Sequence, residues 1–117
     1  MAAAPRTSPA SVPKRSRRVL ELFLGDAPAR VEALRAALLA ADGAALDRAA
    51  HKLRGGCLAI GADAPAALCA RIEEAIELGS LEAARALVPD LAASVAALCV
   101  ALAAELDPPP AAAPAGL

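Results

Sequence analysis

The chain has 117 residues, of which 58% are hydrophobic and 1% aromatic, and it carries a net charge of −1. This length predicts one domain, and the near-neutral charge excludes the strongly basic class of nucleic-acid-binding domains. Because most of the apolar residues are alanine, closely packed helices are favoured over sheet. The three cysteines have no CxxC spacing, so we expect free buried thiols in a reducing compartment rather than disulfides or a metal site.

Composition shifts divide the chain into three parts. Residues 1–14 are predicted to be a disordered N-terminal segment or linker, 15–107 a helical bundle, and 108–117 a disordered Pro/Ala-rich tail. The basic cluster Lys14–Arg18 fits either a solvated helix start or a surface that steers an acidic partner. No secretory segment follows it, and the uncharged run Leu91–Ala104 is too short for a bilayer. We therefore expect a cytoplasmic protein that binds no membrane.

The first predicted element is a short helix that ends near Gly25, with Phe23 in the core. Asp26 is expected to cap a second helix, with Pro28 tolerated in its first turn. The apolar positions of these two elements, all predicted to face the core, are Val19, Leu22, Phe23, Val31, Leu34, Leu38 and Ala41.

Three further helices follow. Asp42 is predicted to cap a helix that ends near Ala59, and Asp63 with Pro65 to begin the next. Ser80 caps the last helix, in which Pro89 predicts a kink or break. The predicted fold is all-α, an up-and-down antiparallel four-helix bundle with an extra short N-terminal helix.

The only histidine of the chain lies in the middle of the third predicted element. At 100° per residue the apolar positions of that helix form one buried stripe, and His51 lies about 140° from it, facing water. The residues on its side of the helix are Asp47, Arg54, Gly55 and Leu58.

This arrangement suits a nucleophile that another protein contacts. Neutral imidazole is a good nucleophile near pH 7, and it can hold a phosphoryl group and pass it on. Arg54 can donate charge-assisted hydrogen bonds to phosphoryl oxygens. Gly55 and Gly56 each cost the helix about 1 kcal/mol, and their missing side chains would let a partner approach. From spacing alone, an ordinary surface histidine and a glycine pair that ends a helix stay open.

The run from Ala50 to Glu73 resembles the histidine-containing phosphotransfer (HPt) domain of bacterial multistep phosphorelays. That family has roughly Ala-His-x-Leu-Lys-Gly, five residues, Gly-Ala, and then Leu-Cys and Leu-Glu. The matching residues, in the same register, are Ala50-His51-Lys52-Leu53-Arg54-Gly55, Gly61-Ala62, Leu68-Cys69 and Ile72-Glu73. The likeness covers about residues 18 to 106. Arg54 replaces the usual lysine, Gly56 replaces a small serine or alanine, and Pro65 replaces a leucine.

The resemblance implies that His51 accepts a phosphoryl group from a receiver-domain aspartate and passes it to another receiver domain. Glu73 would hydrogen-bond near the imidazole or pair with Arg54, or it is an ordinary surface carboxylate. Partner-binding residues on this reading are Asp47, Gly55, Leu58 and Ala62, with Leu24 as a further candidate.

The implied protein is a monomeric phosphocarrier without ATP-dependent kinase activity. It would have no cofactor or metal of its own, because the Mg²⁺ is expected on the receiver. Its partners would be response-regulator receiver domains and a hybrid sensor histidine kinase. Two alternatives stay open: a non-catalytic receiver-binding module, and a bundle that self-associates through its alanine-rich last helix.

Overall fold

The structure, a computed structural model, describes residues 11–108, with side chains from residue 17 onward. It contains four helices and, over these residues, no strand: α1 Ser11–Leu39, α2 Gly43–Ala59, α3 Asp63–Glu77 and α4 Leu81–Leu106. The turns between them are too short for parallel neighbours, so each helix runs antiparallel to the next. α1 also packs on α4, which closes the bundle. The predicted all-α four-helix architecture is confirmed.

The predicted separate N-terminal helix is not confirmed, because α1 continues through Gly25 and Asp26. Phe23 and Ala27 are both buried, so one apolar stripe crosses the expected break. Pro28 therefore lies inside α1 and not in the first turn of a second helix. Burying such side chains outweighs the cost of about 1 kcal/mol for a helical glycine and about 3 kcal/mol for a helical proline. The expected capping by Asp26 is wrong; its carboxylate instead pairs with Arg30, one turn on, at 2.8 Å.

Two predicted core positions of α1 and its turn are also wrong. Leu22 is 58% exposed because the stripe is centred on Leu20 and Phe23. Ala41 is exposed in the turn after α1, where its backbone has a φ of 53°. Val31 and Leu34 are buried as predicted.

Arg17, in the second turn of α1, contacts the end of α4. Its guanidinium donates a hydrogen bond to the carbonyl oxygen of Leu106 at 3.3 Å and pairs with Glu21 at 3.3 Å. Cations are favoured at helix C-termini, so this member of the basic cluster links the start of α1 to the end of α4. The structure begins at Ser11, inside the predicted disordered segment 1–14; residues 1–10 and the tail from 109 lie outside the described residues.

Side-chain caps fix the beginnings of two helices. The carboxylate of Asp42 accepts a hydrogen bond from the Ala45 amide at 3.0 Å, and the Ser80 hydroxyl accepts one from the Ala83 amide at 3.1 Å. Both caps are confirmed, and they set where α2 and α4 start after their turns.

The turn between α2 and α3 depends on a glycine. Gly61 has a φ of +76°, the left-handed conformation that other residues rarely adopt. α3 begins at Asp63 as predicted, and Pro65 is buried in its first turn, where no amide hydrogen is needed.

The core is made mostly of aliphatic side chains, and no polar side chain is buried among those described. α2 contributes Leu46, Ala50, Leu53 and Cys57. α4 runs without interruption through Pro89, so the predicted break is absent there.

α4 is more apolar than the other helices. Within the described part of the chain, it alone has the length and composition to cross a membrane, with a mean hydropathy of 2.1. Core helices of soluble proteins have the same composition, and α4 packs against α1 and α3 through five buried residues. The expected lack of membrane binding stays a prediction.

The three cysteine thiols are free, and two of them are fully buried. Loss of hydration on burial raises the pKa of the Cys57 thiol to about 11 and that of Cys69 to about 12, with a further rise from neighbouring thiols. The Cys99 thiol is only partly buried, and burial raises its pKa as well.

We predict that Ellman's reagent modifies Cys99 first and leaves Cys57 and Cys69 unmodified in the folded protein at pH 8. The thiolate is the reactive form, and raised pKa values keep both buried groups protonated there. Reaction should speed up as the pH approaches 11, and all three thiols should react after unfolding. Equal rates for the three in the folded protein would contradict this packing.

Candidate functional site

His51 lies at the centre of α2, on the face that the bundle leaves open. Its side chain is 68% exposed. The opposite face of α2 is buried between α1 and α3 through residues such as Ala50 and Leu53. The prediction that His51 faces water is therefore confirmed.

Arg54 and Glu73 form an ion pair between α2 and α3. The guanidinium donates through Nε to Glu73 Oε2 at 2.8 Å and through Nη2 to Oε1 at 3.3 Å. Such a two-point contact fixes both side chains more firmly than a single hydrogen bond does. Two alternative contacts were expected for Glu73, one with Arg54 and one with the imidazole. Glu73 makes both.

The imidazole of His51 touches this ion pair through one ring nitrogen. Its Nδ1 lies 3.4 Å from Glu73 Oε1 and 3.4 Å from Arg54 Nη2. A protonated Nδ1 can donate to the carboxylate, whereas an unprotonated Nδ1 can accept from the guanidinium. Nε2, the other ring nitrogen, has no hydrogen-bond partner among the described residues. It is therefore the ring nitrogen that the described residues leave open.

Asp47 lies in the same groove as the ion pair but makes no hydrogen bond to His51 within the described chain. The groove runs between α2 and α3 and has a volume of about 600 Å³. The residues that line it are mainly acidic or small: Ala44, Asp47, Arg54, Ala70, Glu73, Glu74, Ile76 and Glu77. One flank of His51 is thus rich in carboxylates.

The two glycines that follow Arg54 have different surroundings. A Cβ atom on Gly55 would meet no atom within 4 Å, so this position is open to a partner. At Gly56 it would lie 3.6 Å from the Phe23 ring, which covers the position. This is an ordinary van der Waals distance, so Phe23 of α1 packs on α2 at Gly56 and leaves room for a methyl group there, a contact that the sequence did not reveal.

The apolar residues that were expected to form one exposed patch near His51 do not all lie on the surface. Leu58 is 52% exposed, two turns after His51 on the same side of α2. Ala62 is half-buried and packs on the core from the turn before α3. Leu24 also packs on the core, whereas exposed Leu22 lines the hollow between α1 and α2 beside Gly56. The sequence did not indicate Leu22 as an exposed residue in this region, because its position in the helix predicted a core residue.

The described residues contain no group of three or more His, Cys, Asp or Glu side chains placed to hold a metal ion. The expectation that the chain carries no cofactor of its own stays a prediction.

We predict that Glu73→Ala and Arg54→Ala shift the tautomer of neutral His51 in opposite directions. Removing the carboxylate removes the acceptor for Nδ1–H and should raise the fraction protonated on Nε2. Removing the guanidinium leaves the Glu73 carboxylate, a hydrogen-bond acceptor, as the only neighbour of Nδ1. This should raise the fraction of rings protonated on Nδ1. The ¹⁵N chemical shifts of the two ring nitrogens measure this at alkaline pH. Unchanged shifts in both variants would mean that neither neighbour contacts the ring in solution.

The Hpt domain family model matches residues 18–106, which include all four helices except the start of α1. Among solved structures, the crystal structure of histidine-containing phosphotransfer protein B (HptB) from Pseudomonas aeruginosa PAO1 is similar, with a TM-score of 0.76 and 30% sequence identity. The likeness covers 89% of this chain and 96% of that one. No curated protein sequence matches. The chain belongs to the Hpt domain family.

Proposed function

We propose that this protein accepts a phosphoryl group on Nε2 of His51 from a receiver-domain aspartate and passes it to the aspartate of another receiver. Membership of the Hpt family supports phosphotransfer in a phosphorelay. The observation that supports His51 as the carrier is its exposed imidazole, with Nδ1 against an anchored Arg54–Glu73 pair.

The transfer is a displacement at phosphorus. The Nε2 lone pair forms the N–P bond while the bond from phosphorus to the aspartyl oxygen breaks, and its electrons leave with the receiver carboxylate. Nδ1 keeps its proton, so the ring becomes an imidazolium that carries the phosphoryl group. Passing the group to the second receiver is the same step in reverse.

Glu73 has a direct part in this step. As Nε2 reacts, positive charge develops on the ring, and the Glu73 carboxylate lies 3.4 Å from Nδ1. It can accept the Nδ1–H hydrogen bond and stabilise the imidazolium, while also holding the ring in the reactive tautomer.

Arg54 supplies the opposite charge. Its Nε and Nη2 are held by Glu73, while Nη1 makes no hydrogen bond to any described residue. Nη1–H groups can therefore reach phosphoryl oxygens from a fixed guanidinium. A lysine, usual at this position in the family, would reach as a single mobile ammonium instead.

The remaining chemistry belongs to the partners. The sequence has no Gly-rich phosphate loop or kinase motif, so we infer a phosphocarrier that does not use ATP, with Mg²⁺ held by the receiver. We further propose a cytoplasmic monomer that exchanges with response-regulator receivers and a hybrid sensor kinase. Asp47, Gly55, Leu58 and Ala62 would border the docked receiver.

The exposed face of α4 favours a second candidate, a bundle that self-associates. Val100 is 72% exposed, and most of its neighbours on that face are alanines. Sedimentation equilibrium at several concentrations separates this candidate from a monomeric carrier.

We predict that a phosphorylated receiver labels the wild-type protein with an acid-labile phosphoryl group and does not label His51→Gln. The chain has no other histidine, so the loss should be complete. Transfer is followed with radiolabelled phosphate, and circular dichroism verifies that the variant is folded. Equal labelling of His51→Gln would refute the proposal, and a tight wild-type complex without transfer would instead favour a non-catalytic binding module.

We also predict that Gly55→Leu lowers the rate of transfer from a receiver by about tenfold or more, although it stabilises the fold. A side chain at this open position has room in the free protein and should add roughly 0.5–1 kcal/mol to the free energy of unfolding. In the complex it would stand between the partner and His51.

Gly25→Leu is the matched control. Gly25 is likewise exposed within a helix with nothing within 4 Å, and we expect the same gain in stability with an unchanged transfer rate. Denaturant titration and transfer kinetics measure both. Equal rates for the two variants would exclude close approach of the partner at Gly55.

A further inference from the structure

His51 stands on a ridge between two grooves of opposite charge. On the α3 side, the groove contains four carboxylates and the single cation Arg54, which is already paired. On the α1 side, a second groove is lined by Arg30, Ala33, Arg48, Ala49 and Lys52, with no carboxylate in its lining. The site is therefore electrostatically asymmetric about the reactive imidazole.

Two cations of the α1-side groove lack an internal partner. Arg30 is engaged by Asp26 at 2.8 Å, whereas Arg48 and Lys52 are exposed and have no carboxylate within 4.0 Å among the described residues. They are four residues apart on α2, where like charges repel one another. No ion pair among the described residues offsets this repulsion, so an external anion would relieve it.

The register of α2 brings these cations close to the reactive ring. Arg48 is three residues before His51 and Lys52 is one after it, so they lie about 60° and 100° round the helix from His51, on the same side. Any protein surface that delivers a phosphoryl group to Nε2 must cover this side or the acidic one. The charge of the partner surface determines which of these two sides of α2 it covers.

We propose that Arg48 and Lys52 bind carboxylate side chains on the surface of the receiver domain and so fix its orientation over His51. This inference rests on the proposed function and adds the docking contact to it. An acidic receiver surface is attracted to the α1-side groove and repelled by the carboxylates of the α3-side groove. The same asymmetry disfavours the reversed orientation, which would place like charges together.

The test uses a receiver that phosphorylates the wild-type protein, with Mg²⁺ present, and the double variant Arg48→Glu/Lys52→Glu. We expect the KM for transfer to rise about tenfold or more at low salt, with kcat changed less than KM. The neutral variant Arg48→Gln/Lys52→Gln should fall between it and wild type. Added salt should weaken wild-type transfer and narrow the difference between the proteins.

Arg71→Glu/Arg85→Glu is the matched control. Both arginines are exposed, lie on α3 and α4 away from His51, and have no ion-pair partner among the described side chains. The control makes the same change in net charge and should keep KM within about twofold of wild type. Circular dichroism and thermal unfolding verify that all variants fold alike.

The possible failures are distinct. If the wild-type protein accepts a phosphoryl group and the Arg48/Lys52 reversal leaves KM unchanged, the docking contact is refuted while the proposed function stands. An equal rise in KM for the control also refutes it, because net charge alone would then explain the effect. If no receiver labels even the wild-type protein, the proposed function itself fails.

Discussion

The burial of one face of α2 is the constraint on which the site depends. Leu46, Ala50, Leu53 and Cys57 are all essentially inaccessible, and they hold the helix at one rotation between α1 and α3. The helices that pack on α2 are α1 and α3, so its outer face has no covering helix, and His51 lies at the middle of that face. A change of one residue in the register would turn the histidine by about 100°, toward a neighbouring helix. Core packing thus determines which side chain α2 presents to solvent at the middle of this face.

The ion pair between Arg54 and Glu73 adds little to folding, and its proposed part is in the chemistry. Both side chains remain partly exposed, and pairs of this kind add little to stability in water. Their geometry, however, places a cation and an anion at the same ring nitrogen. The site can accommodate either neutral tautomer of the ring, and the carboxylate is already in place when the ring becomes charged.

Local signals predicted α2 well. Its apolar stripe, its Asp42 cap and the outward direction of His51 all follow from residues within a few turns of one another. α1 was predicted less well, because Gly25, Asp26 and Pro28 together are typical of one helix ending and another starting. The burial of Phe23 and Ala27 on a continuous stripe outweighs those local preferences. Tertiary packing decides such cases, and it is not encoded in short windows.

Contacts between helices were the hardest to anticipate. The position of Glu73 beside His51 depends on the relative register of α2 and α3, and only the family resemblance indicated it. The packing of Phe23 on Gly56 and the basic groove that Arg48 and Lys52 share with α1 require knowing how two helices lie together. Periodicity within one helix carries no such information.

The link from Arg17 to Leu106 brings both ends of the bundle to one pole. α2 ends toward the same pole, and His51 is eight residues from its last residue, or about 12 Å along the helix axis. A partner tethered near Arg17 or near Leu106 would therefore approach the imidazole from the same pole. Tethering of this kind raises the effective concentration of a partner to the millimolar range, so a partner tethered beside either residue should be suitable for capturing weak encounters.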